Sequence, residues 1–91
     1  MLIYLKEAEK LIVAVEGTGD NLDFEDREAG WTDYAMTSIY SQNGDELVLE
    51  DAGQLLLEDE YSEYETDDLV DRLMSFWGFD KSKVDYAVLN T

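Results

Sequence analysis

The sequence predicts an α+β fold: a mostly antiparallel sheet of about five or six short strands, with one main C-terminal helix packed on one face. Three observations predict it. Short apolar runs rich in Val, Ile, Leu and Tyr recur between Leu2 and Leu57, with turn residues between them. An Asn43-Gly44 pair between two such runs signals a hairpin. Leu69, Val70, Leu73, Met74, Phe76 and Trp77 then recur at helical spacing. Strands first and a helix afterwards is the α+β pattern.

Leu2 to Leu5 and Leu11 to Val15 read as strands joined by a turn over Lys6 to Lys10. A single helix over this stretch is the rival, since Lys, Glu, Ala and Leu favour helix. The β-branched density of Leu11-Ile12-Val13-Ala14-Val15, with Gly17 beyond it, favours the strand. Gly17 to Asn21 is a turn cluster. Residues 22–29 predict a short helix or an acidic loop, with Asp23 as cap, Gly30 as stop, and Leu22 and Phe24 turned inward. Trp31 to Ser41 is the next strand. Asn43-Gly44 predicts a type I′ turn, and Glu46 to Glu50 the returning strand. Asp51-Ala52-Gly53 predicts a further turn, and Gln54 to Leu57 a short strand or one helical turn. Thr66 is placed to cap the helix, with Asp67 and Asp68 at the positive end of its dipole and Gly78 as the stop. The alternating segment Val84 to Leu89 can return to the sheet.

Charge is the outstanding chemical property. Twenty-three acids face six bases, for a net charge of −17. Solubility of a small domain needs a magnitude of only about 2–8, and the excess opposes folding through self-repulsion. The 91 residues make one domain over 1–91, and a 45% hydrophobic content is enough for a core. There is no Cys, which excludes disulfides and thiolate chemistry, and no His, the commonest general base and metal ligand. The apolar start Met1 to Leu5 runs into Lys6 and Glu7 and is too short for an export signal or a membrane span. The cytoplasm is therefore the expected location.

Two segments concentrate the acids. Residues 58–71 hold Glu58, Asp59, Glu60, Glu63, Glu65, Asp67, Asp68 and Asp71 with no base among them. Such a run is often only a solvated loop and helix start. Here Tyr61 and Tyr64 interleave with the acids, as in interfaces where aromatics anchor and charges select. Asp67 and Asp71 share a helix face at i and i+4, which is unfavourable, and only Asp68 has a helical partner, Arg72. Residues 16–28 carry Glu16, Asp20, Asp23, Glu25, Asp26 and Glu28 against Arg27. They do not keep the ligand spacing of an EF-hand, so a second acidic interaction patch is expected and no metal or cofactor site. Gly17-Thr18-Gly19 lacks the lysine of a phosphate loop. Direct nucleic-acid binding is excluded, because six bases cannot neutralise phosphates amid so many acids. Paired carboxylates carry no catalytic signal in a chain with so many, and no enzyme is expected.

Size, charge and the acidic runs 16–28 and 58–71 resemble the DNA-mimic inhibitors of phages and mobile elements, among them anti-restriction proteins, anti-CRISPR proteins and uracil-DNA glycosylase inhibitors. That resemblance is one of class and implies stoichiometric block of a nuclease or another nucleic-acid-binding enzyme through its basic surface. An acidic adaptor that binds a basic protein, and a bland acidic domain of halophilic type, are the alternatives.

Overall fold

The computed structural model describes residues 1–89. Five strands form one antiparallel sheet: β1 (Leu2–Leu5), β2 (Lys10–Gly17), β3 (Asp33–Asn43), β4 (Glu46–Leu57) and β5 (Tyr86–Leu89). Their order is β4-β3-β2-β1-β5, so the first four make a meander and β5 returns to pair with β1. Among the described residues two α-helices accompany them, a short α1 (Phe24–Glu28) and the main α2 (Thr66–Phe76), with single 3-10 turns at Gly19–Asn21 and Tyr61–Glu63. The predicted α+β class, the main helix and the short helix within 22–29 are all present.

Alternation along the strands defines the core. Ile3, Leu5, Ile12, Ala14, Ala35 and Ile39 point to one face, where they pack with Val70, Leu73 and Met74 of α2. Trp77 closes the helix end. Its indole Nε1–H donates to Thr37 Oγ1 at 3.1 Å, and that hydroxyl donates to the Val13 carbonyl at 2.8 Å. Gly78 follows with φ +86°, the left-handed stop expected after α2.

Several local expectations are corrected. Asp51-Ala52-Gly53 is no turn: β4 runs unbroken through it, and a bulge at Glu50 absorbs the irregularity, since Ile39 pairs with Asp51 while Tyr40 pairs with Leu49. Gly53 is paired with Thr37 in the strand, and a Cβ there would lie 2.7 Å from the tip of the Phe76 ring. The hairpin loop is Gly44-Asp45, with Asn43 paired to Glu46. Gly44 alone has positive φ, +66°, which is the pattern of a type II′ turn and not I′. Thr66 is the first residue of α2; Glu65 holds the cap position and makes no side-chain cap bond. Leu22 is buried as expected, but Phe24 is 73% exposed. β3 begins two residues after Trp31, and β5 begins at Tyr86, not Val84.

Candidate functional site

The two acidic segments meet at the end of the sheet where β2 finishes, β3 starts and β4 finishes. There a cleft of about 440 Å³ is lined by Glu16, Asp20 and Asp33 on one side of the chain order and Glu60 on the other, with Trp31 and Arg27 beside them. Asp33 fixes the junction. It is the first residue of β3, buried, and its Oδ2 accepts the Tyr61 backbone N–H at 2.9 Å. Its Oδ1 is buried with no hydrogen-bond partner among the described residues. Burial, and secondly the charge of Glu16, push the Tyr61 hydroxyl pKa above its ordinary value. Arg27 is already engaged, donating to the Gly19 carbonyl at 2.7 and 3.0 Å and lying 3.9 Å from Asp20.

A second cleft, about 590 Å³, lies along the first half of α2. Glu65, Asp67, Asp68 and Asp71 line one side, and Asp80, Lys81 and Ser82 the other. The Asp80 carboxylate is held below the ordinary aspartate range by the Ser82 hydroxyl and then the Ser82 backbone N–H. Arg72 reaches back to Asp68 at 3.3 Å and lies over the Tyr64 ring, 4.9 Å from its centre. The predicted Asp68–Arg72 pair is therefore formed.

The sequence-derived residues are divided by this arrangement. Glu60 belongs to the first cleft and Glu65, Asp67, Asp68 and Asp71 to the second, so the 58–71 segment spans both. Asp20 reaches the first cleft; Asp23, Glu25 and Asp26, on and beside α1, line neither. Glu58, Asp59 and Glu63 are exposed outside both. The two tyrosines hold the segment in place: Tyr61 is half-buried against the core, and the Tyr64 hydroxyl accepts the Asp59 N–H at 3.0 Å. Asp33 was missed. It has the same strand parity as Ala35, Thr37 and Ile39, so an acid there is a buried acid, and that parity is the signal that could have found it.

The charge is unevenly spread. Among the described residues five of the twenty-three acids form ion pairs, which leaves eighteen side-chain carboxylates without one there. The strand positions on the sheet face away from α2 carry none of them. Among the described residues no group of three or more carboxylates is placed to hold a metal ion, and no helix is long and apolar enough to cross a membrane. Comparison with known protein families, characterised proteins and solved structures finds no match, and the chemistry of the site has to carry its own interpretation.

Proposed function

We propose that this protein is a non-catalytic acidic binder that occupies a basic, nucleic-acid-binding surface of a partner such as a nuclease, acting as a DNA mimic by stoichiometric block. One observation carries the proposal: acids from both segments, Glu16 and Asp20 with Glu60, surround the buried Asp33, and the second segment continues the negative surface to Asp71. Duplex DNA presents one charge per about 1.7 Å of axis. A surface with eighteen unpaired carboxylates on a 10.4 kDa chain can compete for a groove lined with Lys and Arg. The exposed carboxylates of that cleft, Glu16, Asp20 and Glu60, suit the head of a lysine or arginine from the partner, with Trp31 beside them for stacking.

Nuclease-treated bacterial lysate passed over the immobilised protein tests this. The proposal expects one nucleic-acid enzyme that elutes late in rising salt, is displaced by added DNA, and is lost when Asp59, Glu60, Glu63 and Asp67 are all changed to Lys. Retention that DNA does not disturb would assign the protein to the adaptor class instead.

A further inference from the structure

β2 is apolar at five successive positions, Leu11-Ile12-Val13-Ala14-Val15. Continuous apolar runs belong to strands covered on both faces, whereas strands with one wet face alternate. The face under α2 is covered, whereas the other is closed only at the end where Gly17 and Tyr34 are buried. Ile12 and Ala14 are sealed under α2, while Leu11 and Val13 are half-buried and Val15 is 54% exposed on the other side. Met36, paired with Val15, is 56% exposed, and Leu49 on β4 is 55% exposed. α1 buries none of its residues, so it does not serve as the missing layer. No strand position on this open face is Asp, Glu, Lys or Arg, in a chain of net charge −17.

We propose that this uncharged sheet face is the interface of a two-fold homodimer, two sheets packed face to face. Charge selects the occupant. A basic partner drawn by the field of the protein is drawn to the acid-bearing side, whereas a neutral apolar face is matched by another neutral apolar face, and a two-fold axis supplies one. Area agrees. At about 3.3 Å per residue and about 4.8 Å between strands, the five strands present on the order of 600 Å² of planar surface. That is the scale of a standard interface, about 800 Å² of accessible surface per partner. The free edge of β4 is another place a copy could add, but pairing there would bring Glu46, Glu50 and Asp51 of the two copies together. The face-to-face arrangement brings only uncharged strand positions together.

This inference does not rest on the acid-side proposal, and the two respond to salt with opposite signs. Binding of a basic partner weakens as salt rises. Association of two −17 chains through neutral faces strengthens, because screening removes their repulsion. Sedimentation equilibrium of the full chain at low and high sodium chloride tests it. The expected result is a species of twice 10.4 kDa whose population grows with salt and with protein concentration. Val15→Lys, Met36→Lys and Leu49→Lys, each at an exposed position and each placing two charges in the interface, should weaken the dimer about tenfold or more. Asp71→Lys, on the helix side, should leave it intact. A single-chain mass at every salt and concentration overturns the inference. So does a dimer that survives the three lysine substitutions, or one that Asp71→Lys abolishes.

Discussion

Asp33 Oδ2 and the backbone N–H of Tyr61 lie 2.9 Å apart, across 28 positions of sequence. This bond ties the start of the 58–71 acid run to the first residue of β3. It sets Glu60 beside Glu16 and Asp20, and so makes one cleft from two segments.

Removing that tie should cost stability and loosen the cleft. Asp33→Ala leaves the Tyr61 N–H without its partner, and the expected loss is about 1–3 kcal/mol, read from the urea midpoint with the slope unchanged. Asp33→Asn keeps an acceptor oxygen and should lose less. A gain in Asp33→Asn would mean that burying the charge costs more than the bond contributes.

How much of this was legible in the sequence depended on range. The helix at Thr66–Phe76 and its Gly78 stop were legible because spacing and a left-handed cap are local. The 43–46 hairpin was legible as a hairpin, but its loop sits one residue later than Asn43-Gly44 implies. Asp51-Ala52-Gly53 looked like a turn because its composition is that of one. What keeps it in β4 is its pairing with Thr37, Ser38 and Ile39 of β3, contacts between distant parts of the chain. Phe24 was expected inside on hydrophobicity alone, and nothing in α1 gives it a pocket. The meeting of Glu16, Asp20 and Glu60 depends on strand order, which no single segment encodes.

Tyr61 should report on its surroundings at alkaline pH. Its pKa is raised first by burial and then by Glu16. The folded protein therefore holds the phenolic proton more tightly than the unfolded chain does. Stability from this group is fully present below the unfolded value of about 10. It is lost as pH rises through the higher folded value, because the unfolded state releases its proton first. Absorbance titration of tyrosinate should show one late-ionising group. Glu16→Gln should bring it part of the way back, since burial remains. A full return to the ordinary value would mean that the Glu16 charge, and not burial, is the larger cause.

The Trp77–Thr37 bond should couple the end of α2 to the middle of the sheet. Thr37→Val keeps the side-chain shape but gives the indole N–H no acceptor, at an expected cost of about 1–3 kcal/mol. Trp77→Phe in that background should cost less than in the parent, because the bond is already gone. Thermal unfolding of the two single variants and the double variant measures the coupling. Strict additivity would show that the 3.1 Å contact contributes nothing beyond packing.

Self-repulsion should make the fold itself depend on salt. All six bases are engaged, five in ion pairs and Lys81 with the Asp67 carbonyl, and eighteen carboxylates remain unpaired. Screening length falls from about 30 Å at 0.01 M salt to about 8 Å at 0.15 M. The lower figure is well inside a molecule whose shortest extents are 23 and 24 Å. Repulsion across the whole protein should thus be strong in the first condition and local in the second. The thermal midpoint should rise between them, by about 4–8 °C for each kcal/mol of repulsion removed. Reversing Asp59, Glu60, Glu63 and Asp67 to Lys changes the charge by two units each and takes −17 to −9. That variant should start from a higher midpoint at low salt and gain less on adding it. An equal gain in both proteins would place the repulsion outside the 58–71 segment, among the acids of 16–28 and the hairpin tip.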